Sequence, residues 1–385
     1  MKAIVIGSGI AGLSAAIALR KAGLQVVLYE RAAALTEVGA GISLWANALR
    51  ALETIGADAA VRERLEPLRV SEFRGNEGRT IAASFPSSQL EDALGYQPVL
   101  GMIHRADLVE ALASYLPNNT AHYGFSVMAV RDTGEQVEVT FTNGHFDVAD
   151  LVIGADGIHS TIRSMLGDTT PPHYSGYTCF RGVTEMPSRI APGYLAEWWG
   201  RGSRLGITTL RNRRVYWWAT ISVPQDLIIE DRRGWLSKWF RSWADPAPEL
   251  MATTPDDAFL RHNIFDRPPN RNWYRGRCLL IGDAAHPTTP NLGQGGCMAI
   301  EDAACLLNLF SQALPLDEIF PAFVKRRYAR TAAITRDSYW LGKIGQWSGR
   351  MTCRWRDAIV SRLLPVIGVK ELLKHARHVE QFSET

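Results

Sequence analysis

The chain has 385 residues, 46% of them hydrophobic, and a formal net charge of +3 at neutral pH. At about 100–200 residues per domain this length predicts two domains, and the near-balanced charge gives no basis for nucleic-acid binding. Five cysteines (Cys179, Cys278, Cys297, Cys305 and Cys353) without metal-ligand spacing predict reduced thiols in a cytoplasmic protein, with no disulfide framework and no metal centre.

The opening MKAIVIGSG begins a strand at once, which is unlike a signal peptide. No run reaches the length of about eighteen apolar residues that a membrane span needs. Residues 3–6 read as a buried strand. The turn Gly7-Ser8-Gly9-Ile10-Ala11-Gly12 follows, then a helix marked by Leu13, Ala16, Ile17 and Leu19. Residues 25–29 form a second strand, ending at Glu30. This is a complete strand–GxGxxG–helix–strand–acid unit. Gly7 makes the tight turn, Gly9 lets backbone approach a pyrophosphate, Gly12 permits close helix–strand packing, and Glu30 stands where a ribose would be held.

Residues 38–56 predict another glycine-rich entry into an amphipathic helix, and 68–85 a hairpin turning at Asn76-Glu77-Gly78. His104-Arg105-Ala106-Asp107 opens a helix over 108–116, with Asp107 as a candidate N-cap. Segments 125–130, 136–141 and 145–149 predict a small antiparallel excursion turning at Asn143-Gly144. A parallel-type strand returns at 150–154 and ends in Ala155-Asp156-Gly157, with Ser160 and Arg163 beyond it.

The span 171–275 holds eight of the twelve tryptophans. It predicts a mixed sheet, with strands at 205–210 and 215–223 and one helix at 233–243. Cys278–Ile281 is again a buried strand, followed by Gly282 and Asp283. A loop containing Pro287, Pro290 and Asn291 leads through Gly293-Gln294-Gly295-Gly296 into a helix. Glycines there bring N–H groups close to a flat or anionic ligand at the positive end of that helix. A long helix follows at 317–345, and then an amphipathic tail at 346–385, interrupted at Pro365 and Gly368.

GSGIAG with Glu30 and Arg31, then Arg105, GADG at 154–157, and GDAAHP with PNLGQGG together resemble the group A FAD-dependent monooxygenases, which share the para-hydroxybenzoate hydroxylase fold. The wording GQGGCMAIEDA is similar to that of zeaxanthin epoxidases, salicylate-hydroxylase-like proteins and bacterial urate hydroxylases. The resemblance runs over nearly the whole chain. It implies an α/β fold: a Rossmann-like FAD-binding domain with a parallel sheet (1–70, 98–170 and 276–345), an inserted mixed-sheet substrate domain (71–97 and 171–275) and a C-terminal helical region (346–385).

It also implies FAD as cofactor, NADPH or NADH as co-substrate, and molecular oxygen. Gly7, Gly9, Ala11, Gly12 and Glu30 would hold the ADP half, with Arg31 and Ser43 among the cofactor contacts. Arg105 would reach the pyrophosphate and ribityl region, Val127 would contact adenine through its backbone, and Asp283 would bind the ribityl hydroxyls. Gly293, Gly295, Gly296 and Cys297 would face the flavin pyrimidine ring, and Asp156 would serve both FAD and NAD(P)H. Oxygen would add at flavin C4a to give a hydroperoxide that hydroxylates a small aromatic or heteroaromatic molecule. Arg204 and Tyr216 would assist catalysis, while Arg181, Trp217 and Pro290 would line the substrate pocket. An epoxidase or decarboxylating hydroxylase on the same scaffold, or a non-catalytic FAD-binding protein, are the alternatives. The resemblance is compatible with a monomer or a homodimer.

Overall fold

The computed structural model describes the backbone of residues 1–35, 40–312 and 314–376, and every side chain there except those of 83–85 and 363–372. Strand Lys2–Ile6, with Ala3 to Ile6 all buried, is an interior strand of a six-stranded sheet. In spatial order the strands are Tyr274–Arg275, Cys278–Leu280, Leu151–Gly154, Lys2–Ile6, Gln25–Glu30 and Ala121–Tyr123. Every neighbouring pair is parallel except the first. Parallel strands are covered on both faces, which is why the central ones read as unbroken apolar runs. Helix Ile10–Lys21 is buried along ten successive residues and packs against helix Gly295–Ser311.

Ile6 stands opposite Gly154 and Tyr29, and Gly154 opposite Leu280. Four strands therefore end together on one sheet edge, where ligands of open α/β sheets sit.

The second sheet has seven strands, in the order Leu260–Asp266, His173–Glu185, Arg214–Ile221, Ser203–Leu210, Tyr194–Trp199, Val70–Gly75 and Thr80–Pro86. It is mixed, because Tyr194–Trp199 runs parallel to Val70–Gly75 while the other pairs are antiparallel. Its outer face packs Phe180, Trp198, Leu205, Ile207, Val215 and Trp217 against helices Arg232–Phe240 and Ala247–Thr253. The 125–149 excursion forms as three antiparallel strands.

Several boundaries differ from the sequence expectation. Residues 41–45 form a strand before helix Ala46–Ile55, because Gly41–Trp45 pairs with Leu100–His104; Val38 and Gly39 lie outside the described residues. Asp107 is not an N-cap: the helix begins at Arg105, and the Asp107 carboxylate accepts from Arg214 Nη2 at 3.0 Å. The 233–243 helix is Arg232–Phe240. Within the 346–385 tail, of which 377–385 lies outside the described residues, Arg350–Ala376 is one helix that runs through Pro365 and Gly368. Packing rather than propensity supplies most helix stability in proteins, and this helix is anchored on the body by Arg356 before the two breakers and by Leu373 and Ala376 after them.

Candidate active site

In the turn after Lys2–Ile6 two glycines are required by the protein itself and one faces open space. Gly7 has φ +105°, and a Cβ on it would lie 2.5 Å from the Ala155 carbonyl oxygen. A Cβ on Gly12 would lie 1.8 Å from Gly7 O. Only glycine fits either place. A Cβ on Gly9, by contrast, meets nothing within 4 Å, and Gly9 is the N-cap of Ile10–Lys21, with no acid in that helix's first turn. Open space against positive backbone dipoles suits a pyrophosphate. Ala11 is buried behind the turn and touches Gly282, whose own added Cβ would lie 2.8 Å from it.

Glu30 closes this turn from the next strand. Its Oε2 accepts from Ser8 N at 2.7 Å and Ser8 Oγ at 3.1 Å, and its Oε1 accepts from Ala32 N at 2.9 Å. A carboxylate oxygen has room for a further donor such as a ribose hydroxyl. Arg31 beside it is exposed. Val127 is half-buried at the start of its strand, paired with Phe141.

Asp156 and Asp283 end two neighbouring strands of the same edge but are used differently. Asp156 Oδ1 accepts from Ser160 Oγ at 2.5 Å, and Oδ2 from Thr161 N and Ile162 N at 2.7 and 3.1 Å, which fixes the start of helix Thr161–Met165. Asp283 is enclosed by protein and yet open to solvent, so it lines a cleft. Burial raises its pKa, opposed by the charges of His286 and Arg105. Arg105, at the start of its helix, is exposed toward the same space.

The glycine-rich loop forms the next wall. Gly293 has φ +62°, and its carbonyl accepts from Ser43 Oγ at 2.9 Å. Cys297 Sγ lies 3.6 Å from both Ser43 O and Gly293 O, and burial pushes this thiol up to about 12, so it stays protonated. A Cβ on Gly296 would press 2.7 Å from Ile42 Cδ1, whereas one on Gly295 would meet Thr288 Cγ2 at an ordinary 3.5 Å. Trp45 Nε1 and Thr288 Oγ1, both buried along this loop, have no hydrogen-bond partner among the described residues. Buried donors left bare cost about 1–3 kcal/mol each, so they suit a cofactor rich in acceptors.

A family model described as FAD binding domain matches residues 1–191 and 265–337. The chain belongs to this family. Aurachin C monooxygenase/isomerase of Stigmatella aurantiaca is 36% identical over 358 residues, which is 93% of each chain. The 2-heptyl-3-hydroxy-4(1H)-quinolone synthase of Pseudomonas aeruginosa is 35% identical over 95% of this chain and 94% of its own. The crystal structure of Klebsiella pneumoniae HpxO complexed with FAD and uric acid superposes with a TM-score of 0.90, at 30% identity and over 98% and 96% of the two chains. The protein is thus a group A flavin monooxygenase, and FAD is its cofactor.

In this monooxygenase the inner face of the seven-stranded sheet closes the cleft. Tyr216 is buried and packs on the backbone of the glycine-rich unit: a Cβ on Gly41 would lie 2.4 Å from Tyr216 Cδ1. Trp218, two residues on, shares this face and lies flat over Gly206, where a Cβ would come 2.0 Å from its ring. Arg181 stands opposite Trp218, half-buried, with its Nε unpaired among the described residues. Burial, partly opposed by the Arg181 charge, holds the Tyr216 phenol above its ordinary pKa, so it is a proton-bearing donor at neutral pH. Pro290 is exposed in the loop.

Trp217 is a correction. It points to the other face, fully buried, with Nε1 donating to Thr254 Oγ1 at 2.8 Å and its ring against Phe259. Strand alternation puts neighbours 216 and 217 on opposite faces, so Trp217 is core and does not line the cleft.

Arg204 shares the inner face but is enclosed. Its Nη2 donates to Asn291 Oδ1 at 2.5 Å, and its Nη1 pairs with Glu197 Oε1 at 3.3 Å. The Asn291 amide nitrogen is shared among Tyr177 Oη, Thr289 Oγ1 and Ser338 O. The sequence shows Asn291 only as part of its loop and of PNLGQGG, without its partner Arg204, and Glu197 and Gly41 escaped the sequence reading. So did His262, which is exposed on this face opposite Cys179. Its pKa is lowered to about 4 by desolvation and then by Arg181, Arg105 and Arg232.

Behind the loop lies a buried ionic cluster. Glu301 accepts from Arg327, Arg330 and Asn47, and Asn47 also donates to Gln294 Oε1 at 3.0 Å. Asp302 accepts from Arg327 Nε, Gly282 N and His286 Nε2, all at 2.7–2.9 Å. His286 is therefore a structural tie between turn and helix. Arg163, fully buried, donates to Ala284 O and Ala285 O and pairs with Asp168, joining two strand ends.

Proposed function

We propose that this flavin monooxygenase hydroxylates a planar heteroaromatic molecule held between the inner face of the seven-stranded sheet and the Gly293–Cys297 loop, with NADPH or NADH as electron donor. The observation that carries the reading is the wall itself. Tyr216 and Trp218 give it flat aromatic surface, while Arg181 Nε, Thr208 Oγ1 and Thr220 Oγ1 are buried there without partners among the described residues. Such a wall fits a ring with polar edge atoms, because a few placed polar groups in an apolar pocket fix orientation.

Gly7, Gly9, Gly12 and Glu30 would hold the ADP half of FAD, Arg105 and Asp283 its middle, and Ser43 with Gly293, Gly295, Gly296 and Cys297 its ring end. Asp156 would support the site from behind. Bound FAD, once reduced, supplies oxygen activation and transfer of one oxygen atom to an electron-rich ring. The protein's own part is positioning. Tyr216 keeps its proton and donates to the substrate edge, Arg181 balances negative charge on a deprotonated substrate, and the neutral imidazole of His262 can accept a proton near the cleft mouth. Arg204 acts through Asn291 and is a positioning residue. The boundaries 1–70, 98–170 and 276–345 against 71–97 and 171–275 fit a cofactor unit and a substrate unit meeting at this cleft.

The test is NAD(P)H oxidation by the purified yellow protein with a panel of heteroaromatics, including urate and alkyl-4-quinolones. The expected result is slow oxidation alone, strong acceleration by one class, and a product carrying one atom from labelled oxygen. A panel in which only non-aromatic olefins give oxygenated product would replace hydroxylation by epoxidation.

A further inference from the structure

Helix Arg350–Ala376 carries its polarity the wrong way round over its first three turns. Arg356 points inward and is buried, its Nη1 donating to Gly200 O at 3.1 Å and Gly345 O at 3.2 Å, with its guanidinium 5.1 Å from the centre of the Trp199 ring. Asp357 beside it pairs with Arg356 at 2.9 Å and with Arg79 at 3.2 Å. Met351, Trp355 and Ile359 point outward instead, 66%, 65% and 48% exposed. Spaced four apart, they form one strip on the helix surface. Trp347, in the connection before the helix, is 36% exposed. A helix on a water-facing surface normally shows the opposite pattern.

The charge around the strip has one sign. Arg350, Arg354 and Arg362 are all exposed on the same part of the helix. Asp357 is the one acid between 346 and 362, and it is turned inward and paired. We propose that this face is a docking surface for an anionic phospholipid leaflet, on which the helix lies in the interface without crossing it. Among the described residues no helix is long and apolar enough to cross a membrane, and an interfacial helix needs no such length.

Three features favour lipid over another occupant. Tryptophan is the residue that sits at the headgroup level, with an apolar ring and one polar N–H. Exposed arginines beside an apolar strip match a negatively charged leaflet. A second copy of the chain fits less well, because a two-fold contact over this strip would set arginines against the same arginines. The inward anchors of Arg356 and Asp357 hold the helix folded before it meets a surface, so docking carries little ordering cost.

The experiment is flotation of the full-length FAD-loaded protein with vesicles of phosphatidylcholine alone and of phosphatidylcholine mixed with phosphatidylglycerol, alongside light scattering for oligomeric state. Wild-type protein should float with the mixed vesicles and much less with the neutral ones. Met351→Ser with Trp355→Ser should lower partitioning at least about ten-fold, with bound FAD and substrate-stimulated turnover unchanged. Arg350→Gln with Arg354→Gln should remove the preference for the anionic vesicles, at roughly five-fold per charge. Protein that stays in solution with both vesicle types overturns the proposal. So does a serine variant that floats like wild type. A wild-type dimer that ignores vesicles and dissociates in the serine variant would assign the face to self-association instead.

Discussion

Arg204 Nη2 donates to Asn291 Oδ1 at 2.5 Å, and together with the Asn291 Nδ2 bond to Tyr177 Oη at 3.0 Å this joins the substrate-side sheet to the loop that precedes the glycines. The guanidinium is held from behind by Glu197 and roofed by Gly345, where a Cβ would lie 3.0 Å from Arg204 Cδ. Two segments whose paired residues are 87 apart in sequence are thereby locked to each other.

If Arg204 acts through Asn291, Arg204→Gln and Asn291→Leu should produce the same defect. Each should keep FAD bound while more of the NAD(P)H consumed appears as hydrogen peroxide. The double variant should be no worse than either single one, since residues in one network are not additive. Arg204→Ala should also lower stability, by leaving the half-buried Glu197 without its cation. Peroxide, product and NAD(P)H measured in one reaction, with thermal denaturation alongside, decide the matter; additive uncoupling would separate the two residues.

Gly9 and Gly12 should fail in different ways. Gly12→Ala drives a methyl into Gly7 O and should impair folding. Gly9→Ala meets no protein atom within 4 Å, so melting of the apoprotein should hardly change while FAD affinity falls at least about ten-fold, or 1.4 kcal/mol. Titration followed by flavin fluorescence, beside apoprotein melting, distinguishes them. Equal FAD affinity in Gly9→Ala would place the pyrophosphate elsewhere.

Asp283 lines the cleft near Arg105 and His286. A carboxylate that accepts ribityl hydroxyls contributes about 1.5–3 kcal/mol per charge-assisted bond. Asp283→Ala should therefore weaken FAD roughly ten-fold or more, with circular dichroism unchanged. Undiminished FAD affinity in a folded variant would make Asp283 a turn residue only.

The cluster behind the loop predicts a pH dependence. Burial alone would raise the Glu301 pKa, but Arg327 and Arg330 outweigh it and bring the value down to about 2 from an ordinary 4.5. The folded pKa is depressed, so the stabilisation is present above about pH 4.5 and is lost as pH falls toward 2, on the order of 3 kcal/mol in all. Asp302 is shifted the same way and adds to it. Denaturant midpoints measured across this range should fall steeply for wild type and less steeply for Glu301→Gln, which is also less stable at neutral pH. Parallel slopes would remove Glu301 from the account.

Much of this protein was legible in its sequence because the signals are local. Apolar runs at 3–6, 151–154 and 278–280, the first followed by the GSGIAG turn and the other two by glycine and an acid, determine a parallel sheet and a ligand edge, since backbone sterics and strand burial act within a few residues. The aromatic span 171–275 announced a mixed sheet for the same reason. Tertiary structure alone decided which face each residue shows and what it meets. Tyr216 and Trp217 look alike in sequence, yet one packs on Gly41 and the other on Phe259. Asn291 stands inside the PNLGQGG motif, but nothing local says that it meets Arg204, 87 residues away, and nothing local sets His262 opposite Cys179 of a distant strand. Helix Arg350–Ala376 passes two helix breakers, with Arg356 before them and Leu373 after them packed on the body. Pairings over such separations depend on how the sheets and helices close upon one another, and no local pattern encodes them.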